Sequence, residues 1–249
     1  LTTHLQGKHG RCLTSTSPSA TSEVVWLQRK NMQENIILYD KDIREPLFSF
    51  LEQQYGKMRI LEEIRITKSR ADIIMVLPDS VVGIEIKSDA DTYARLAGQT
   101  KDYDRYFDYN YVVVGSTHAA HIEEHVPAHW GIITVEPVGE EIDFYVLRKP
   151  HLNIKMEMEK KLELLWRPEL VHIQQQTQMP AYKERSKAFV REKILEKVPV
   201  PVLQQLISQE LFERDYTTIL EEINDFRAAN NQNPRRRTRK RRRKLRPSE

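Results

Sequence analysis

Cysteine is almost missing from this chain. Cys12 is the only one in 249 residues. That excludes an intrachain disulfide and makes a reducing compartment, the cytoplasm, the simplest expectation. Long apolar runs are missing too. No stretch approaches the roughly 18 apolar residues that would suggest a membrane span, so no membrane partner is expected. Glycine is scarce, with eight in all, and no Gly-rich loop runs into Lys-Ser or Lys-Thr. A built-in P-loop ATPase is thereby excluded, and any coupling to a motor would need a partner. No internal repeat is visible.

Charge is abundant instead, at 30% of residues. The formal net charge of +3 conceals an asymmetry. Residues 235–249 hold ten Arg or Lys and one Glu, a net of +9, which leaves −6 for residues 1–234. The body is acidic and the tail strongly basic, so the pI argues for nucleic-acid binding through the tail alone. Like charges with little to bury predict a disordered tail over 231–249. Its basic part, 235–246, reads as an electrostatic anchor for a nucleic acid.

Residues 1–31 are rich in Ser and Thr, and their first acid is Glu23. A transit peptide shares that composition. The plainer reading is a disordered or non-native extension, or a mis-called start, upstream of Met32. From Asp40 the pattern becomes regular. Asp42 can cap a helix that carries Leu47, Phe48, Phe50 and Leu51 on its apolar face and ends at Gly56. Met58–Ile66, with Ile60, Ile64 and Ile66 evenly spaced, reads as a strand. Ala71–Leu77 and Val81–Lys87 read as two more, joined by Pro78-Asp79-Ser80 turn chemistry. Helical periodicity covers Asp91–Asp108. Tyr111–Val114 is a short buried strand, and a short helix is expected near 118–125. Strands at Gly131–Val135 and Ile142–Val146 complete an α-β-β-β-α-β-α-β-β order. That order predicts an α/β domain over 36–150, a mixed sheet flanked by helices. Strand signals then stop. Residues 151–230 read as a helical region, with an apolar cluster at Leu162, Leu164, Leu165 and Trp166. Its helices over 181–197 and 201–227 are interrupted by Pro199 and Pro201.

The second and third strands carry the chemistry. With an even loop between them, Leu77 lies opposite Val82 and Asp72 opposite Lys87. Glu85 shares the face of Lys87, so Asp72 becomes its cross-strand diagonal neighbour. Two carboxylates this close repel unless a hard cation sits between them, and oxygen ligands suit Mg²⁺ or Mn²⁺. Such a cation lowers the pKa of a bound water and offsets charge on a scissile phosphate. Lys87 can hold the attacking water or stabilise developing negative charge.

Asp72 with Glu85-Ile86-Lys87 resembles the D…E-x-K signature of the PD-(D/E)XK nuclease superfamily. Gln99-Thr-Lys-Asp-Tyr103 in the following helix resembles the Q-x-x-x-Y motif of its RecB-like branch, where the pair sits beside the metal and contacts substrate or orders the site. The chain also resembles, over residues 36–227, a small bacterial family of that superfamily. There the nuclease core precedes a helical segment with a Leu-Leu-Trp-Arg-like motif, here Leu164–Arg167. The resemblance implies a restriction-endonuclease-like fold. It also implies a Mg²⁺- or Mn²⁺-dependent nuclease with Asp72, Glu85 and Lys87 as catalytic residues, and DNA favoured as the partner. Ala71 replaces the proline of the signature. A further acid usually comes from the preceding helix or strand. Glu63 is the first candidate metal ligand of that kind and Glu45 the rival, with Glu62 pointing the other way. Arg70 contacts phosphate or pairs with a neighbouring acid.

Other readings compete. A module that binds nucleic acid on the same fold without turnover is the main alternative, and self-association as a homodimer through the helical region is open. His121-Ile-Glu-Glu-His125 fits the H-x-x-E-H zinc pattern, with His118 nearby. A short segment before Pro127 with no downstream carboxylate helix favours solvated histidines over a zinc peptidase.

Overall fold

Helix α1 runs from Asp40 to Tyr55 and buries Ile43, Leu47 and Leu51, one per turn. The computed structural model describes residues 37–215. The readings of residues 1–31, of the tail 231–249 and of the end of the 201–227 helix lie outside the described residues. Asp42 does not occupy the cap position. The helix begins two residues earlier, and Asp42 Oδ2 accepts the N–H of Tyr39 at 3.0 Å. A carboxylate one turn inside a helix thus serves a donor that has no intrahelical partner. Gly56, at φ +69°, closes the helix with its N–H on the Glu52 carbonyl.

Six strands follow: β1 (Arg59–Ile66), β2 (Ser69–Val76), β3 (Val81–Lys87), β4 (Tyr109–Gly115), β5 (Gly131–Val138) and β6 (Glu141–Arg148). They lie in the order β1-β2-β3-β4-β5-β6. The β3–β4 and β4–β5 pairs are parallel and the others antiparallel. Helix α2 (Leu96–Tyr106), preceded by a 3-10 turn over Tyr93–Arg95, crosses from β3 to β4. The molecule is therefore an α/β fold, a mixed sheet flanked by helices, with helices again at its C-terminal end.

The sheet separates two apolar cores. Helix α1 covers one face, over Ile73, Met75, Val82, Ile84, Ile86, Val113 and Ile133. Helix α2 and the C-terminal helices cover the other, over Ile66, Ala71, Ile74, Val76, Val112 and Val114. Side-chain alternation breaks once in the first hairpin. Leu61 joins the α2-side core, and so do Ile64 and Ile66, although the parity differs. On β2 the same break falls between Ala71 and Ile73. Between these residues stands Glu63 at φ +58°, in the left-handed region. The β1–β2 ladder pairs Glu62 with Ile73 and Ile64 with Ala71, but not Glu63 with Asp72. Ile60 accordingly packs on the α1 side and Ile64 and Ile66 on the α2 side, despite their even spacing.

The C-terminal helices are α4 (Met158–Lys161), α5 (Arg167–Gln176), α6 (Lys187–Lys197) and α7 (Val200–Glu213); the short α3 is Ser116–Ala119. Leu162, Leu164, Leu165, Leu170, Val190, Ile194, Leu203, Ile207 and Leu211 join the α2-side core. Two buried ion pairs fix them. Lys161 Nζ donates to Asp108 Oδ2 at 2.5 Å, and that oxygen also accepts the Val81 N–H at 2.7 Å. Arg214 and Glu169 form a two-pronged pair at 2.6 and 2.8 Å, and the Arg214 guanidinium lies 5.0 Å from the Trp166 ring. Trp166 thus serves the packing of this region. No helix among the described residues is long and apolar enough to cross a membrane.

Candidate functional site

The β2–β3 loop holds Leu77–Ser80, an even count, closed by the Leu77 N–H on the Ser80 carbonyl at 2.9 Å. The register nevertheless differs from expectation by two. Val76 faces Val81 and Ile73 faces Ile84, where the ladder ends. Leu77 is not opposite Val82, nor is Asp72 opposite Lys87. Carrying the register one step on brings Asp72 beside Glu85, so the carboxylates draw together more directly than a diagonal pairing would allow.

Side chains replace the ladder at this point. The Tyr103 hydroxyl accepts the Asp72 N–H at 3.1 Å and donates to Glu85 Oε2 at 2.7 Å, with the Ile84 carbonyl 3.3 Å away. Asp72 Oδ2 accepts the Ile86 N–H at 2.9 Å. Glu85 is fully buried. Its Oε1 receives Lys87 Nζ at 2.5 Å and the side-chain amide of Gln99. The i, i+4 spacing of Gln99 and Tyr103 puts both on the α2 face turned to β3. The structure therefore joins Asp72, Glu85, Lys87, Gln99 and Tyr103 in one hydrogen-bonded cluster.

Gly83 makes that approach feasible. A Cβ there would lie 2.2 Å from the Phe107 ring and 2.7 Å from that of Tyr103. The hairpin tip is tied to the same helix. Asp102 Oδ2 accepts the N–H and the hydroxyl of Ser69, and Tyr106 OH accepts the Thr67 N–H at 3.2 Å.

Burial, followed by the neighbouring Glu85 carboxylate, pushes the Asp72 pKa up to about 7. The Ile86 N–H and Lys87 act in the opposite sense, and Asp40 adds to the rise. Burial and then Glu85 hold the Tyr103 phenol well above its usual range, so it stays a neutral donor.

The cluster opens on a cavity of about 780 Å³. Asp40, Asp72, Glu85, Lys87 and Gln99 line it, and so do four cationic side chains, Arg65, Lys68, Arg70 and Arg95. Glu63 is not among the lining residues. It pairs with Arg44 at 2.6 Å and Arg70 at 2.5 Å. Arg70, 67% exposed in its side chain, therefore both pairs with an acid and faces the cavity. Glu45 is exposed, and Glu62 pairs with Arg44. The acid that α1 brings to the cavity is Asp40, which the sequence reading passed over. Its signal was the i, i+4 pair it makes with Arg44. A second cavity, about 330 Å³, lies on the α1 side among Phe50, Tyr55, Leu77, Tyr111 and Val146. It has no carboxylate in its lining.

The donor set fits a hard divalent cation. The Asp72 carboxylate and the fully buried Glu85 carboxylate meet at the inner wall of the cavity, their proximity is unfavourable when both are ionised, and Gln99 Oε1 is buried without a hydrogen-bond partner. Among the described residues no group of three or more His, Cys, Asp or Glu side chains is arranged to hold a metal. Magnesium is commonly held by one or two carboxylates with water completing its shell, so Asp72 and Glu85 suffice for that ion type.

The histidines are arranged otherwise. In place of a helix over 118–125 there are α3, a turn and a 3-10 segment at Ile122–Glu124. His125 stacks on Tyr93 at 4.1 Å and His118 meets the same ring edge-on at 5.0 Å. His121 lies 3.7 Å from Glu124 on the exposed surface. The i, i+4 face required for paired zinc ligands does not form.

Comparison with known families gives one assignment. The family model described as bacteriophage P4 protein cII matches residues 33–232, most of the chain. The chain belongs to the bacteriophage P4 protein cII family. The match takes in the whole sheet, the cluster around Glu85 and the helices through α7. No curated protein matches this chain. Among solved structures it is similar to SfsA of Pyrococcus furiosus in complex with Ca²⁺, at 13% identity and a TM-score of 0.28. The similarity covers 47% of this chain and 63% of that one, so the chain spans less than two thirds of SfsA.

Proposed function

We propose that this protein is a divalent-cation-dependent nuclease that hydrolyses phosphodiester bonds, with DNA as substrate. The observation that carries this reading is the hydrogen-bonded assembly of Asp72, Glu85, Lys87, Gln99 and Tyr103 beside a cavity that Arg65, Lys68, Arg70 and Arg95 also line. The motif resemblance to PD-(D/E)XK nucleases supports it. Asp72 and Glu85 are the carboxylates that would hold Mg²⁺ or Mn²⁺. Such an ion, when bound, supplies an acidified water and offsets phosphate charge. Lys87, anchored on Glu85, presents an ammonium where the attacking water and the phosphate would meet. Gln99 and Tyr103 fix the Glu85 carboxylate by bonds to its two oxygens. Arg65, Lys68, Arg70 and Arg95 offer phosphate contacts around the opening, a grip without base specificity.

The test is cleavage of circular single- and double-stranded DNA with Mg²⁺ or Mn²⁺, wild type beside Lys87→Ala. Wild-type cutting that falls at least a hundredfold in the variant is the expected result. Binding without cutting on either substrate would sink the nuclease reading. The cationic opening would then serve a nucleic-acid-binding module without turnover.

A further inference from the structure

Asp72 is suspended between two side chains rather than between two strands. Its N–H goes to the Tyr103 hydroxyl from the α2 side of the sheet. Its carbonyl accepts Arg44 Nη1 at 3.2 Å from helix α1, on the other side. Tyr103 belongs to a recognised motif; Arg44 does not. The Arg44 side chain is only 16% exposed and is held by three acids as well: Asp40 one turn before it, Glu62 at 3.1 Å and Glu63 at 2.6 Å. Glu63 is the residue at φ +58°, opposite Asp72, where the β1–β2 pairing lapses and the side chains change face. Arg70 holds its other carboxylate oxygen.

We infer that Arg44 and Glu63 form a clamp that holds the break in the β1–β2 hairpin and so positions Asp72 beside Glu85. A non-glycine residue in the left-handed region is strained and persists only where its surroundings enforce it. Here the enforcing contacts are the two guanidinium groups on Glu63. The same Arg44 fork bonds the Asp72 carbonyl, so the distortion and the carboxylate are fixed by one side chain. A lysine could not replace it, because a point charge does not span Glu63, Asp40 and a carbonyl together. Arg44 is thus a positioning residue, acting through Asp72 without facing substrate. The inference rests on the reading of Asp72 and Glu85 as working carboxylates, but its geometry can be tested without turnover.

The experiment compares wild type, Arg44→Met and Glu63→Gln by amide hydrogen exchange and by cleavage. The Ile86 amide, bonded to Asp72 Oδ2, reports the clamp; the Val113 amide in central β4 reports the rest of the sheet. Arg44→Met is expected to speed exchange at Ile86 at least tenfold with Val113 unchanged, and Glu63→Gln to do so more weakly. The Mn²⁺ concentration for half-maximal cleavage is expected to rise about tenfold in Arg44→Met, with substrate KM within about twofold of wild type. Unchanged exchange at Ile86 in Arg44→Met overturns the clamp. If Val113 also loosens in that variant, Glu63→Gln decides, and unchanged exchange at Ile86 there overturns it. A wild type that never cuts overturns the nuclease reading alone, because the exchange result still stands or falls on its own.

Discussion

At the scale of single residues, Asp72 is strongly altered by its surroundings, and the alteration has a direction that can be measured. Unfolded, its pKa is about 3.9; folded, burial and Glu85 raise it to about 7. The folded chain therefore holds a proton that the unfolded chain has released over the window between those values. Stability contributed by this group is present at low pH and lost as pH rises through the window. With a chelator present, the wild-type Tm is expected to fall from about pH 4 to about pH 7 by several degrees more than that of Asp72→Asn. If Asp72 and Glu85 hold a cation as proposed, saturating Mg²⁺ is expected to remove the difference at about pH 7, because it would replace the proton that offsets the charge of the two carboxylates. Parallel pH slopes for the two proteins would show that Asp72 is not held protonated. The residue types of the cluster were legible in the sequence, since Asp72, Glu85, Lys87, Gln99 and Tyr103 all meet. The supporting residues were not. Arg44 and Asp40 look like an ordinary helical ion pair, and Glu63 offered no signal that its backbone turns left-handed, because glycine is the usual marker of that conformation. Glu63 is a candidate metal ligand by its place before Asp72 in the adjoining strand; in the structure its carboxylate pairs with Arg44 and Arg70.

At the scale of elements, the helix that presents Gln99 and Tyr103 sits close to β3 because position 83 carries no side chain. Gly83→Ala would press a methyl into the Phe107 and Tyr103 rings, and close-packed interiors absorb such a group only by moving. The expected cost is about 1–3 kcal/mol in urea unfolding, with a loss of cleavage beyond the loss of folded protein as Gln99 and Tyr103 leave Glu85. Full activity at an unchanged unfolding midpoint would mean that α2 does not depend on this approach. All six strands were legible, because apolar and β-branched residues gather in short runs between turn residues. Register was less so. Loop parity fixed which face the side chains take, but a shift of two preserves parity and is invisible to alternation. Helix α5 was missed, although Pro168 in its first turn and Glu169 behind it are a start signal. The expected helix at 118–125 was over-read: the chain there turns too tightly for an α-helix.

At the scale of the molecule, charge is divided between an acidic body and a tail of residues 235–249 that carries +9. Deleting that tail is expected to weaken DNA binding at low salt. The salt dependence should flatten as well, by about one unit of log–log slope for each phosphate that the tail had neutralised. Equal affinity and equal slope after deletion would remove the tail from the binding surface. The C-terminal helices matter to the site in a different way. Lys161 is completely buried, and burial lowers its pKa against the opposing pull of Asp108. Asp108 in turn receives the first N–H of β3, the strand that carries Glu85 and Lys87. The order of synthesis gives this arrangement a consequence. On the ribosome the hairpin emerges well ahead of residue 161, and until that lysine arrives the Asp108 carboxylate at the root of β3 lacks its counter-charge. A chain interrupted before its helical region would therefore leave a carboxylate without its lysine beside the first amide of the strand that carries Glu85 and Lys87.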